Sequence, residues 1–412
     1  MRHKLAVPAI AAFLASAGVP IYIHLPRYAA ELGIGLGTIG AILLGLRMLD
    51  FVQDPLLGRL IDRFPQKRRF FALIAFAGMG LGFLIAFVLQ PTALGLVIGL
   101  VLVFTAYSLG TILFYGQGAA VVGSDDTTAH LAFAGLRETG ALVGIVIAAI
   151  APGVLGAMFG PLQGYALFGL MLVVASILIW WGSRAFWTPV VAQVQDSQPL
   201  RQLLRPEIVQ LLLIALLNAM PVAVTSTLFL FFVEDRLQLP DFAGLFLVLF
   251  FLTAGITARM WSRLAARFGA RRVLVVAMSL SIMAFIGAYA LPVGAAWRFG
   301  LISAVSGAAL GADMVILPAL FATALMREGV STGIAFGVWS FAAKISLAVS
   351  AAIVLPLLQV AGFEPAGVND APALEALNLL YAVFPCVLKV LALLLVSRLP
   401  DAPKGAAQIG AG

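Results

Sequence analysis

The sequence predicts an all-α membrane protein with twelve transmembrane helices in two pseudo-symmetric six-helix bundles. Three observations predict it. The chain of 412 residues is 62% hydrophobic and only 10% charged, with a mean hydropathy of +1.09, whereas a soluble domain carries about 25% charged residues. About twelve apolar runs approach the roughly 20 residues that cross a bilayer. A basic motif recurs at matching places in the two halves. This composition excludes a soluble enzyme, and no enzymatic activity is expected.

The runs begin near Leu5, Gly35, Phe70, Thr92, Ala132, Pro161, Ile208, Phe242, Val273, Arg298, Thr332 and Leu377. The first follows Met1-Arg-His-Lys and resembles a signal peptide. Its apolar character continues through Pro20-Ile-Tyr-Ile-His-Leu, and cleavage would leave an odd number of spans, so it reads as an uncleaved first helix. Breaks fall at Pro91, Gly160-Pro161, Pro240 and the loop from Gly362 to Pro372. The longest polar stretch, Trp187 to Arg205, lies near the middle. The expected organisation is a first bundle over 1–185, a cytoplasmic linker over 186–205, a second bundle over 206–400 and a tail over 401–412.

The repeat pairs Arg59-Leu-Ile-Asp62-Arg63-Phe-Pro-Gln-Lys67-Arg68 with Arg263-Leu-Ala-Ala-Arg267-Phe-Gly-Ala-Arg271-Arg272, each after the second span of its half. Two six-helix halves in parallel repeat resemble the architecture of the major facilitator superfamily. Lys and Arg concentrate in the loops between spans two and three, six and seven, eight and nine, and ten and eleven, and after span twelve. Both termini are therefore expected in the cytoplasm, with the protein in a bacterial inner membrane. The net charge of +7 reads as this loop bias and not as nucleic-acid binding. One cysteine, Cys386, excludes an intrachain disulfide framework, and the three histidines have no metal-like spacing. The expected partners are a small-molecule solute and membrane lipid, with the protein acting as a monomer.

Function concentrates in the second run. Arg47, Asp50 and Asp54 share one face of a helix at i, i+3 and i+7. A charge at the bilayer centre costs roughly 2.5–3.5 kcal/mol, so three together must face protein and one another or an ion. Two carboxylates a turn apart repel unless a cation joins them, which is what a coupling site for H+ or Na+ requires. A static pair of Arg47 with Asp50 is the plainer reading, but it needs one acid and there are two. No cofactor is expected beyond the coupling ion.

Lys344 stands roughly 20 Å from either end of its helix, too far for its stem to reach the interface. Asp313 is similarly isolated between Arg298 and Arg327. These two either join a transport charge network or simply pair to tie helices ten and eleven. Arg137 is either an interfacial loop charge or a cavity residue. Lys389, near Arg398, reads as snorkelling and receives no role. Tyr115 and Gln117 on helix four, Asn218 and Thr225-Ser226 on helix seven, and Trp339 on helix eleven are candidate cavity residues. For each of them, close helix packing is the alternative reading.

The pattern R-x-x-D-x-x-x-D-P-x-x-G over Arg47–Gly58 resembles the glycoside–pentoside–hexuronide:cation symporters, the melibiose-permease-like branch of the superfamily. The resemblance implies that Asp50 and Asp54, with Gln53 beside them, bind Na+ or H+. Gly58-Arg-Leu-Ile-Asp62-Arg63 resembles the superfamily's loop motif and implies a gate formed by Gly58, Asp62, Arg63 and, in the second half, Arg267. Leu136-Arg137-Glu138 resembles the helix-five segment and raises Arg137 as a cavity residue. Trp339-Ser-Phe-Ala-Ala-Lys344 resembles the helix-eleven lysine segment, which implies Lys344 in the charge network, and Gly311-Ala-Asp313 with Pro318 resembles the family's helix-ten pattern. The acids that hold sugar hydroxyls in melibiose-type members have no counterpart in Ala12–Gly18 or Thr111–Phe114, and Gln53 stands where the family often has Asn. Ser108 and Thr111 are the nearest candidates for a helix-four hydroxyl at the ion. The expectation is cation-coupled uptake of a sugar, a sugar-like compound or an anionic solute by alternating access. An exporter of a lipid-like or drug-like molecule and a non-transporting membrane assembly factor on the same fold are the alternatives.

Overall fold

The computed structural model describes residues 5–18, 24–25, 28–29, 31–34, 36–89, 92–123, 126–188, 203–363 and 369–399. Most of the linker and the whole 401–412 tail read from the sequence lie outside the described residues. Among the described residues the chain is almost wholly helical, without strands. The helices in chain order are α1 (Ala6–Ser16) and α2 (Leu36–Arg63), then α3 (Pro65–Val88), α4 (Ala93–Val122), α5 (Thr127–Phe159) and α6 (Pro161–Ser183). They continue with α7 (Pro206–Arg236), α8 (Pro240–Phe268), α9 (Ala270–Ala290), α10 (Ala296–Glu328), α11 (Thr332–Val360) and α12 (Ala371–Ser397). Ten of these, α3 to α12, are long and apolar enough to cross a membrane. Each of the twelve runs read from the sequence contains a helix among the described residues, and that of the first run, Ala6–Ser16, has 11 residues, shorter than a membrane span.

Two compact units are present. One comprises 1–124, 136–203 and 325–341; the other comprises 125–135, 204–324 and 342–412. In the first, α3 packs against α4 and α6, α2 against α4, and α1 against α6. Stacked Phe13 and Phe76 fill its centre. Phe186 and Trp187, just past α6, are buried there as well. In the second, α12 packs against α7 and α9, around a cluster in which Phe232 stacks on Tyr381 with Phe299 alongside.

Lipid-facing and interior sides are plain on α2. Met48, Val52 and Leu56 are exposed, whereas Leu46, Asp50, Asp54, Gly58 and Ile61 are buried. Spacings of three and four residues put Met48, Val52 and Leu56 on one face and Asp50 and Asp54 on the other, so the carboxylates turn inward as lipid requires. Interfacial tryptophans carry arginines over their rings, Arg184 on Trp181 and Arg298 on Trp297. Such amphipathic pairs suit the headgroup level.

Candidate functional site

The interior face of α2 forms a seam with the first turns of α11. Asp54 is fully buried, and its Oδ2 accepts a 2.7 Å hydrogen bond from the Ser340 hydroxyl. One turn on, a Cβ on Gly58 would lie 2.5 Å from the Gly333 carbonyl oxygen, so only glycine permits this approach. A Cβ on Gly333 would in turn strike the Asp62 carboxylate and the Gly58 carbonyl. A turn further, Asp62 caps the start of α11. Its Oδ1 accepts from the Gly333 N–H at 2.9 Å, and its Oδ2 accepts from the Ile334 N–H at 2.5 Å and the Ser331 hydroxyl at 2.9 Å. The first N–H groups of a helix have no partner within it and carry positive partial charge, so a carboxylate is the group they favour.

Beside Asp54, a chain of hydrogen bonds runs from α2 to α4. Gln53 Nε2 donates to Asp50 Oδ1 at 2.9 Å, and Thr105 Oγ1 donates to Gln53 Oε1 at 2.9 Å. The structure thus brings Asp50, Gln53 and Asp54 together on one buried face. Thr105 supplies a hydroxyl from α4 to this chain, a residue the sequence did not single out, whereas the buried Thr111 hydroxyl has no hydrogen-bond partner among the described residues. Two carboxylates, an amide and two hydroxyls are hard oxygen donors, a set that accommodates a proton or Na+. Arg47 belongs to this helix, but its side chain lies outside the described residues. Lys344 is half-buried one turn beyond Ser340 in sequence.

Residues 5–400 match the family model described as MFS/sugar transport protein. The chain belongs to this family of major facilitator superfamily transporters. It is therefore an integral membrane transporter, not an enzyme. No curated sequence is significantly similar to it. Among solved structures, it is similar to a bacterial homologue of the iron transporter ferroportin in an outward-facing state, at 17% identity and TM-score 0.74, covering 97% of this chain and 99% of that one. It is also similar to the E. coli fucose:proton symporter FucP, at 13% identity and TM-score 0.70 over 96% and 97% of the two chains. The human organic anion transporter MFSD10 (TETRAN) matches at 16% identity and TM-score 0.67 over 96% and 99%. At these identities the likeness establishes the fold.

The remaining residues singled out from the sequence of this transporter fall into place with several corrections. The residues expected to form a gate are helical, not in a loop: Gly58, Asp62 and Arg63 lie on α2 and Arg267 on α8. Arg63 and Arg267 are exposed and lie over the rings of Phe64 and Phe268, so the repeat is visible in three dimensions. Asp62 has only Ala266 at its repeat position and acts alone. Arg137 is 5% exposed, which overturns the interfacial-loop reading. Its Nε donates to Glu138 at 2.8 Å, and its guanidinium lies 4.0 Å from the Tyr115 ring centre. Such a desolvated cation over an aromatic face is worth about 2 kcal/mol. Trp339 is half-buried on α11.

Gln117 does not serve as a cavity residue. Its Nε2 donates to the carbonyls of Phe186 at 2.7 Å and Thr188 at 3.0 Å, and its Oε1 accepts from Arg68 at 2.7 Å. The amide is fully engaged in pinning the chain after α6 against α3 and α4. Gln117→Leu is expected to cost about 2 kcal/mol, because it strands a buried carbonyl and a guanidinium. Thermal unfolding and faster proteolysis just past Phe186 would show it; an unchanged melting temperature would refute the pin.

Asp313 and Asn218 also have a different setting. Asp313 Oδ2 is held by Lys389 of α12, not by an α11 lysine, and Lys389 also donates to Asn218 Oδ1 at 2.6 Å. All three are buried. Lys389 was the missed residue. It stands nine residues before Arg398, about 13 Å along the helix, beyond a lysine stem's reach. The distance argument applied to Lys344 would have found it. Ser340 lay within the helix-eleven segment quoted for Lys344 without being singled out, and nothing in the sequence distinguished Thr105.

Proposed function

We propose that this transporter is a symporter that couples H+ or Na+ to uptake of a small solute, a sugar or a sugar-like or anionic compound. The family's description as sugar transport supports the substrate class, and the likeness to the fucose:proton symporter FucP supports ion coupling. The observation that carries the reading is the α2–α11 seam. Asp54 at one end bonds α11 through Ser340, and Asp62 at the other end caps α11. Eight residues of helix, about 12 Å, separate them. An ion or proton on Asp54 competes with Ser340 for the carboxylate and so changes the strength of the seam. A ligand moves a conformational equilibrium only by its differential affinity for the two states, and the seam supplies that difference.

In this reading Asp50, Gln53 and Asp54 form the ion site, and Thr105 orients the Gln53 amide. Arg47, one turn before Asp50, is the counter-charge when the ion leaves, and Lys344 is a further cation of the cycle. Arg137, Tyr115 and Trp339 contact solute. Asp62 and Gly58 form the gate, which parts when α11 leaves α2. The protein resides in a bacterial inner membrane with both termini in the cytoplasm and acts as a monomer.

The test is a thermal-shift screen of the purified protein against sugars, sugar acids, amino acids and lysolipids, with and without Na+ and across pH. A ligand at 100 times its dissociation constant adds about 2.7 kcal/mol. A solute whose stabilisation depends on the cation is expected, and Asp54→Asn should abolish the dependence. If every solute stabilises equally with and without Na+ at all pH values, coupling is wrong.

A further inference from the structure

A cavity of about 40 Å3 lies within the second unit beside the Lys389–Asp313 pair, lined by Pro221, Thr225, Phe250, Ser306, Asp313 and Lys389 among others. That volume accommodates about three water molecules. Two buried atoms on its lining residues, Asp313 Oδ1 and Ser306 Oγ, have no hydrogen-bond partner among the described residues. Buried polar atoms are rarely left this way. A purely structural tie between α10 and α12 would gain nothing from this arrangement, since a packed apolar pair holds helices as well as a buried ion pair does. Here one carboxylate oxygen holds Lys389, the other is buried without a partner among the described residues, and Asp313 is one of the residues lining a space the size of a few waters.

We propose that Asp313 is a second proton-binding site, separate from Asp50 and Asp54, reached through this cavity. A proton delivered by hydronium adds to Oδ1 and leaves water behind. The carboxyl becomes neutral, Lys389 keeps its bond to Asn218, and the net charge of the cluster rises from zero to +1. Of the lining groups that face Asp313, α12 supplies the two that ionise, Lys389 and Cys386. The others, Thr225 on α7, Phe250 on α8, Ser281 on α9 and Ser306 on α10, do not ionise. Protonation therefore loosens the charged tie between α10 and α12 while that between α7 and α12 persists. The site stands whether or not Asp50 and Asp54 bind the coupling ion.

The chain's single cysteine makes the test direct. Cys386 lines the same cavity, and its S–H stretch lies in an otherwise empty part of the infrared spectrum. In the full-length protein, transfer to D2O should replace the S–H band by S–D; retention of S–H would mean that water does not enter and would overturn the proposal. The second measurement uses Asp50→Asn/Asp54→Asn as the parent, so that the first acidic site is silent. Acidification should raise a protonated-carboxyl band that is lost when Asp313→Asn is added. Should Asp313→Asn fail to fold with Lys389 unpaired, Asp313→Asn/Lys389→Gln removes both charges and should show the same loss. Superimposable acid-minus-alkaline spectra with and without Asp313 would overturn the site.

Discussion

Gly58→Val is expected to break the α2–α11 seam. The added Cβ would meet the Gly333 carbonyl oxygen at 2.5 Å and the Ile334 Cα at 3.0 Å. Both are backbone atoms, which cannot rotate aside as a side-chain end does. Overpacking of this kind costs about 1–3 kcal/mol. Relief by helix separation also forfeits the Asp62 hydrogen bonds, and bonds to a charged acceptor are worth about 1.5–3 kcal/mol each. The total loss should be about 3 kcal/mol or more in thermal unfolding. A double-mutant cycle gives the sharper result. Asp62→Asn alone should destabilise, but on Gly58→Val it should add little, since the contact is already open. Additive losses would mean that Gly58 and Asp62 do not serve one contact.

Lys389→Met is expected to have a comparable effect by a different cause. Removing one member of a buried ion pair leaves the other charge uncompensated and costs about 3–5 kcal/mol. Lys389→Met/Asp313→Leu should recover most of that loss, because two apolar side chains leave no charge to bury. Acidification should also lessen the defect of the single variant, since a neutral carboxyl is cheaper to bury than a carboxylate. Denaturation in detergent at several pH values measures all three. A double variant as unstable as the single one would show that Lys389 and Asp313 act through packing and not through charge.

Much of this molecule was legible before folding. The twelve helical runs stood out because lipid imposes one demand on every residue of a span, and α2 stood out because it violates that demand three times. The burial of Asp50 and Asp54, with Val52 and Leu56 facing outward, followed from helical spacing alone. The reach of a lysine stem placed Lys344 inside the protein and, applied evenly, would have placed Lys389 there too. The seam was half visible: Asp62 and Gly58 were singled out, but as parts of a loop motif known from the family resemblance. The structure carries α2 to Arg63, which puts Asp54, Gly58 and Asp62 on one stripe.

By itself the sequence determined the class of protein, where its apolar helices lie and which polar groups must turn away from lipid, because each of these follows from a sum over neighbouring residues. Only the tertiary structure decided the partners: Ser340 for Asp54, Thr105 for Gln53, Lys389 for Asp313, and Gln117 for the chain after α6. Each pairing depends on how two helices are rotated and slid past one another. That register is set by close contacts such as Gly58 on Gly333, between segments far apart in the chain, and no local sum records it.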